Sequence, residues 1–562
     1  MKKMIYVLLV LAMFLSACAP AQTSPTPAPA NTAEAAAPAA TQAVSPTAVP
    51  ATEAPTAVPV AQSTIQDLSF TWYKNYDWYA AEKWAAENES EIWIKNKYNV
   101  NITYMDAGGS ASTKIATMMV DSKYPDVISL DRDQTLTTLI DAGALVPLDD
   151  YVEGSYLQKY LGNEMIDMFR AKDGHLYVYP NWAAPMGTAG GNQGYIVQNK
   201  WYTKVGSPAL KTNDDLYNYL TALKAKFPNV TPLQIGVNMA GIAVIYAGFN
   251  EANNPGYMAS QLYRDGDKLG GILSDPSYQQ ALLFVNKLYR EKLVTQDMFT
   301  MTTDDYNQRM ANGNYGIAVI DDVFSSDWGA PFVEKQKADP ELSTTVIDPI
   351  VNTGVTMENV KTNWGSAMGW NVATISKDAK NPKNIFQYFD YIFGPMGSLL
   401  TTYGAPGDKG YWQEKLGEND MPVMNPSYLT ATTAEIDAKW MGSNWTANTG
   451  YMNTLTYYNY DKTGKATQIV KDQLAHTWNH FVDATELVNI IPDPATDMGI
   501  LYQNIQTLYT TAIPEIINAK SEADAKTAID ANIKKLNDAG LQKLLDWQTA
   551  VWKQNMQTLG KK

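Results

Sequence analysis

Cysteine is almost missing from this chain: Cys18 is the single one among 562 residues. A body without a second thiol can form no internal disulfide and no thiolate metal site. Histidine is nearly as scarce, with three residues. His476 and His480 stand four apart on a predicted helix, a spacing that can suit a metal, but the glutamate of His-Glu-x-x-His is missing there. They are expected to be ordinary helix-surface histidines, and no metal or cofactor is expected. Gly-x-Ser-x-Gly, Ser-x-x-Lys, Gly-x-Gly-x-x-Gly and Walker A sequences are all absent, which removes the motif-based routes to hydrolase or nucleotide chemistry. A glycosidase would need two carboxylates across a cleft; among 58 acidic residues such a pair is always available and so indicates nothing. Basic charge is also in deficit. The first 64 residues carry only Lys2, Lys3, Glu34 and Glu53, which cancel, so 41 basic and 56 acidic side chains remain beyond them and hold the whole net charge of -15. Such a surface repels phosphate backbones, and nucleic acid is excluded as a partner.

Long apolar runs are lacking too. The longest opens the chain, Met4 to Phe14 after Lys2 and Lys3, and its 11 residues fall short of the ~20 that span a bilayer. A charged start, a short apolar run and small residues at 16 and 17 make a secretory signal. Leu15-Ser16-Ala17-Cys18 resembles the lipobox of bacterial lipoproteins, which implies cleavage before Cys18 and acylation of its thiol. The competing assignment is a secretory peptide with an incidental cysteine. Two or more acyl chains hold a protein stably at a membrane surface, so the expected location is the extracytoplasmic face of the cell membrane. Residues 19–64 are nearly all Ala, Pro, Thr, Ser, Val and Gln. A tract of this composition cannot bury a core and reads as a disordered tether.

The remaining body of about 500 residues is too long for one core and suits two lobes. It opens with alternating elements: a strand at Leu68–Tyr73, a helix over Ala80–Lys97, a strand at Val100–Met105, a helix over Ser112–Asp121, a short apolar strand at Asp126–Leu130 and a helix over Gln134–Ala142. Strands alternating with helices at this spacing predict a parallel α/β sheet. Ligands in such sheets bind outside the carboxyl ends of strands, which points to Lys74–Trp78 and to Asp131–Asp133. Further strands are expected at His175–Trp182, ending in a break, and at Tyr195–Gln198, Tyr315–Ile320 and Ala367–Ile375. Helices are expected over 213–227, 277–292 and Pro382–Phe393. At the C-terminal end Ser521 with Asp524 reads as a capping box, Ala525, Ile529, Ile533 and Leu536 as one apolar stripe, and Leu541–Met556 as a final helix.

The lipobox, the Pro125-Asp126-Val127-Ile128 strand, "LIDAGALVPLDDYV" (139–152), "YIVQNKWYTKVG" (195–206), "DDLYNYLTALKAKF" (214–227), "YGIAVIDD" (315–322) and the ending "AIDANIKKLNDAGLQKLLDWQTAVWKQN" occur in an order similar to that of extracellular solute-binding proteins of ABC importers. The resemblance is to their large, LplA-like carbohydrate-binding subgroup and spans the body. It implies a two-lobed periplasmic-binding-protein-like α/β fold of class II, each lobe a mostly parallel sheet flanked by helices, with the ligand cleft between lobes. Residues 65–180 with about 367–430 are expected to form lobe 1, and 181–366 with about 431–562 lobe 2. Two departures stand out. Asn199-Lys200-Trp201 replaces the arginine and Asp-Trp pair usual after the strand at 195. Lys226-Phe227-Pro228-Asn229-Val230-Thr231-Pro232 replaces a calcium loop rich in oxygen ligands.

The 15 Trp and 34 Tyr residues supply flat apolar rings on which the C–H faces of sugars can lie, while amides and charges read the hydroxyls. Tyr76, Trp78, Asp131, Arg132, Trp182, Asp321, Trp328 and Trp364 are the candidate substrate-binding residues, and no catalytic residue is assigned. Asp131 and Arg132 are favoured because the resemblance places charged, hydroxyl-reading residues after this strand. Core packing is the competing assignment for each aromatic. For Asp131-Arg132 it is a helix N-cap with a solvated neighbour. The expected function is capture of a sugar or oligosaccharide by a monomeric, lipid-anchored receptor that hands it to an ABC permease, with chain crossings near 180 and 366 acting as hinges. The alternatives are a surface glycan hydrolase or lyase, and an oligopeptide or amino-acid receptor.

Overall fold

The computed structural model describes residues 65–77, 79–183, 193–236, 241–251, 257–258, 260–320, 329–369, 371–417, 422–431, 435 and 475–561. Cys18 and the tether lie outside them, as do Trp78, Asp321 and Trp328 among the candidate site residues.

In chain order the strands are β1 (Ser69–Lys74), β2 (Asn101–Met105), β3 (Val127–Asp131), β4 (Val178–Pro180), β5 (Gly194–Gln198), β6 (Thr231–Ile235), β7 (Leu262–Asp265), β8 (Lys268–Gly271), β9 (Tyr315–Ile320), β10 (Thr344–Ile347), β11 (Asn363–Gly365), β12 (Asn371–Ile375), β13 (Trp412–Leu416), β14 (Pro422–Met424) and β15 (Phe481–Asp483). They build two main sheets, ordered β2-β1-β3-β12-β4 and β10-β5-β9-β6. In the first sheet β1, β2 and β3 run parallel, β12 lies antiparallel between β3 and β4, and β4 therefore shares the direction of β3. In the second, β6 and β9 are parallel and β5 runs against both β9 and β10. Each sheet thus has one reversed strand, and in each case it is the strand entered just after the chain crosses between sheets. The fold is the two-lobed, mostly parallel α/β arrangement of class II.

Both lobes bury apolar side chains on the two faces of their sheets, as parallel strands require. In lobe 1 the core is aromatic. The Trp72 ring meets Phe389 edge-on at 5.3 Å, and Tyr179 meets Phe393 at 5.4 Å. Phe386, Phe389 and Phe393 come from the helix Pro382–Phe393, which begins with Pro at its first turn and buries one face. The helices α1 (Glu89–Tyr98), α2 (Ala111–Asp121) and α3 (Gln134–Asp141) follow β1, β2 and β3. α1 is shorter than expected, because Ala80–Asn88 is not helical. Asn88 caps the helix by accepting from the Ser90 and Glu91 N–H groups, and the stretch before it is held open by Ala81 N–H to Asp106, Ala85 N–H to Glu91 and the Trp84 indole to Val100 O. The apolar periodicity there reflects this folded loop. β12 is also shorter than its predicted span, since residues 366–369 form a turn between it and β11.

Lobe 2 is closed by α4 (Asp497–Ile517), α5 (Glu522–Asp538) and α6 (Leu541–Thr558). Ala525, Ile529 and Leu536 are buried and Ile533 half-buried, so the stripe packs inward. Ser521 accepts from Asp524 N–H and its hydroxyl donates to the Asp524 carboxylate. α6 lies in the lobe 2 core through Leu541, Leu544 and Trp552, whereas Leu559, just past its end, joins the core of lobe 1. No helix among the described residues is long and apolar enough to cross a membrane.

Candidate functional site

β1 and β3 are parallel neighbours, so both release their chains at the same end of the lobe 1 sheet. The reversed strand β12 begins at that end, with Asn371 in register with Asp131. Tyr76 after β1, Asp131-Arg132 at the end of β3 and Asn371 at the start of β12 therefore meet without any of them being close in sequence. Asn371 Nδ2 donates to the Tyr76 hydroxyl at 3.1 Å. The Tyr76 hydroxyl is bonded in turn to the Asp131 carboxylate. Burial, then the Asp131 charge, pushes the Tyr76 phenol far up from its ordinary value.

Asp131 is half-buried, and burial together with nearby Asp133 raises its carboxyl to about 6, against the lowering influence of Tyr76 and Arg132. It does not cap α3. Asp133 fills that role, accepting from Thr135 and Leu136 N–H, so Asp131 keeps its carboxylate for something else. Asp131 Oδ1, Asn371 Oδ1 and Arg132 Nε are buried atoms with no hydrogen-bond partner among the described residues. Two acceptors and a donor thus stand in three mutually neighbouring residues, a combination that costs free energy unless a ligand or water completes it.

Arg132 has a backbone partner in the returning chain. Its Nη2 donates to Gly369 O at 2.5 Å and its guanidinium carbon stands 5.8 Å from the Phe169 ring centre. Burial lowers its ordinary value to about 10, with Asp131 opposing the shift, so it remains charged at neutral pH.

The crossings lie beside this cluster. After β4, Asn181 N–H donates to Asn371 O at 3.0 Å and Trp182 adopts a left-handed φ of 60°. The far end of the same crossing is also tied to the returning chain, because Gln193 O accepts from Asn363 Nδ2 at 2.8 Å and Thr362 Oγ1 at 3.2 Å. A third segment joins them: β15 pairs in parallel with β11, and Ala367 N–H donates to Thr485 Oγ1 at 2.8 Å. A void of about 10 Å³, the size of about one water, lies among Trp72, Ser129, Tyr179, Asn181 and Asn371. Trp364, on β11, is 37 % exposed, so its ring is free to meet a ligand. Trp182 is half-buried at the junction.

The structure therefore brings Tyr76, Asp131, Arg132 and Trp182 together around Asn371 and Gly369, with Trp364 on β11, which precedes Gly369 in the chain. Asn371 was hidden to sequence reasoning inside a predicted strand. Its signal was a polar residue at the start of an otherwise apolar strand, two residues after a glycine. Lys74 was missed as well: it is 1 % exposed, with its ammonium 4.8 to 5.0 Å from the centres of the Trp72, Tyr79 and Tyr104 rings. Burial lowers it well below the ordinary lysine value, against Glu91 and Glu82. The two histidines differ from expectation. His476 pairs with Asp348 at 2.7 Å, but His480 is buried in a single 3-10 turn and its Nδ1–H donates to Val360 O at 2.6 Å. Burial lowers the His480 imidazole. Among the described residues no three His, Cys, Asp or Glu side chains gather as a metal site. A separate cavity of about 420 Å³, lined by Glu89, Tyr403 and the 405–411 loop, shares no residue with this cluster.

The family described as bacterial extracellular solute-binding protein matches residues 78–398, more than half of the chain. This chain belongs to that family. The family and the structural neighbours of this chain are binding proteins, not enzymes. Among curated proteins, lipoprotein LipO of Bacillus subtilis is 23% identical over 346 residues, covering 58% of this chain and 62% of that relative's length. A solute-binding protein of Bifidobacterium longum infantis, described as HMO-binding and ABC-transporter associated, superposes with a TM-score of 0.61 at 15% identity, over 88% of this chain and 100% of that one. The Streptococcus pneumoniae ABC-transporter substrate-binding protein FusA, solved with kestose, gives 0.58 at 16% identity, over 87% and 99%. At these identities the solved structures establish the fold of this solute-binding protein.

Proposed function

We propose that this solute-binding protein captures a sugar or oligosaccharide between its lobes and delivers it to the permease of an ABC importer, held at the extracytoplasmic face of the membrane by acylated Cys18. The observation that carries the ligand class is the cluster of Asp131 Oδ1, Asn371 Oδ1 and Arg132 Nε without partners among the described residues. Sugar hydroxyls both donate and accept, so one polyol satisfies all three atoms while its C–H face lies on an indole. Tyr76 bonds the carboxylate and is itself held by Asn371, and Trp182 and Trp364 lie in the crossing segments. Trp78, Asp321 and Trp328, which lie outside the described residues, complete the proposed set; in sequence Asp321 follows Ile320, the last residue of β9. Two structural relatives, one described as HMO-binding and one solved with kestose, support this class. Isothermal titration of the protein against neutral oligosaccharides and against short peptides tests it. Saturable oligosaccharide binding lost in Asp131→Ala is expected. Binding of peptides alone, or release of product from a glycan, would overturn the reading.

A further inference from the structure

The assignment of Arg132 to the ligand leaves its strongest contact unexplained. Its charged donor is placed on Gly369 O at 2.5 Å, and hydrogen bonds from ionised donors are about twice as strong as neutral ones. Gly369 is no ordinary acceptor. It holds φ +65°, and a Cβ added there would come 2.1 Å from Asn181 O and 2.9 Å from Trp182 C. The second crossing therefore lies backbone against backbone on the first, where Trp182 itself is in the left-handed region. A bulky residue there is strained and persists only where its surroundings over-determine it. Arg132 supplies part of that determination. It follows Asp131 in sequence, rests on Phe169 of lobe 1 and holds the turn that leads into Asn371.

We propose that Arg132 is a positioning residue: its guanidinium pins the second crossing at Gly369, so that the side chain beside the ligand-facing carboxylate also sets the freedom of the hinge. The ligand half of this statement rests on the solute-binding role proposed above, whereas the hinge half concerns the ligand-free protein. A hinge is a few residues that absorb backbone rotation. The rotation here must shear Gly369 across Asn181, and a charge-assisted bond from the rigid lobe 1 sheet to the Gly369 carbonyl opposes that movement. A solute that draws the Arg132 Nε or the Asp131 carboxylate toward itself changes the set of that bond, and lobe orientation follows.

The test is a ligand-free measurement. Full-length protein carrying Cys18→Ser, with Val120→Cys on α2 of lobe 1 and Ile500→Cys on α4 of lobe 2, both exposed, is labelled with a donor and an acceptor dye. Single-molecule transfer efficiency then reports the spread of lobe orientations. Arg132→Ala is expected to broaden the ligand-free distribution at least twofold, and Arg132→Lys, which keeps a charged donor, to broaden it less. Arg132→Gln, isosteric along most of its length, is the milder variant should Arg132→Ala not fold. Wild-type distributions in both Arg132→Ala and Arg132→Gln, with only oligosaccharide affinity reduced, would overturn the proposal and leave Arg132 with ligand contact alone. Broadening in the variants supports the hinge assignment even if no oligosaccharide shifts the wild-type distribution, a result that would count against the carbohydrate reading alone.

Discussion

The raised carboxyl of Asp131 makes solute affinity depend on pH with a definite sign. In the ligand-free protein it titrates at about 6, chiefly through burial. A sugar hydroxyl that donates to its bare oxygen favours the ionised form and returns the carboxyl toward the ordinary value of about 4. Affinity is therefore highest above pH 6 and falls as pH drops, because binding must then expel a proton. For a shift from about 6 to about 4, the dissociation constant at pH 5 is roughly tenfold that at pH 7, near 1.4 kcal/mol. The stability of the free protein runs the other way. A carboxyl raised on folding binds more protons folded than unfolded, so its contribution is largest at low pH and is lost between about pH 4 and 6. The loss is at most about 3 kcal/mol and is reduced by solvent screening at this half-buried position. Titration calorimetry at pH 5, 6 and 7, in buffers of different ionisation enthalpy, reads both the affinity and the proton released. Asp131→Asn should bind weakly and with little pH dependence. A wild-type dissociation constant that stays constant from pH 5 to 7, or a slope that survives in Asp131→Asn, would refute the reasoning.

Trp364→Ala should weaken oligosaccharide binding by about 1–3 kcal/mol while leaving the melting temperature nearly unchanged, since its ring is 37 % exposed and on a short hinge strand; unaltered affinity removes it from the site. Gly316→Ala should destabilise lobe 2 by about 1–3 kcal/mol, because the new methyl would meet Leu223 Cδ2 at 2.1 Å and Pro232 O at 2.9 Å; urea unfolding measures this, and full wild-type stability would contradict the packing. Cys18→Ala should release the protein from the membrane fraction without changing solute affinity, and equal retention of the variant on fractionation would end the lipid-anchor proposal.

What the sequence made legible was the part governed by local rules. The helix Pro382–Phe393 starts and stops at the residues its proline and apolar face indicate, and β3 emerges one residue from its expected span. The rule that ligands collect at carboxyl ends of parallel strands led to Asp131 and Tyr76, which the structure joins. Local rules failed where a distant partner decided the outcome. Ala80–Asn88 has helical periodicity, yet its backbone groups bond Asp106 and Glu91 instead. Lys74 looked like the first residue of a solvated loop until Trp72, Tyr79 and Tyr104 closed around it. Asn371 carried no signal strong enough to separate it from its strand, because its importance comes from pairing opposite Asp131. Arg132 was reached by the same rule, but its bond to Gly369 O was not legible, since a guanidinium reaches several ångströms and its acceptor lay in the other crossing.

The reversed strand in each sheet explains why the site gathers where it does. A parallel strand can present only its final residue at the inter-lobe end of a sheet, and a chain arriving from the other lobe must enter at that same end. It is then obliged to run backwards through the sheet, as β5 and β12 do. The first residues of such strands are at once hinge residues and floor residues: Asn371 bonds Tyr76 through its side chain and Asn181 through its carbonyl, while Gly194 opens β5 with no room for a side chain beside Thr477, 2.9 Å from where a Cβ would lie. A solute resting on Asp131 is therefore never more than one side chain from the crossings. A ligand shifts a conformational equilibrium only through contacts that differ between the two states. If the solute rests on Asp131 as proposed, the contacts that the returning strands carry are the ones a change of lobe orientation would alter, and ligand recognition and lobe closure would draw on the same few residues.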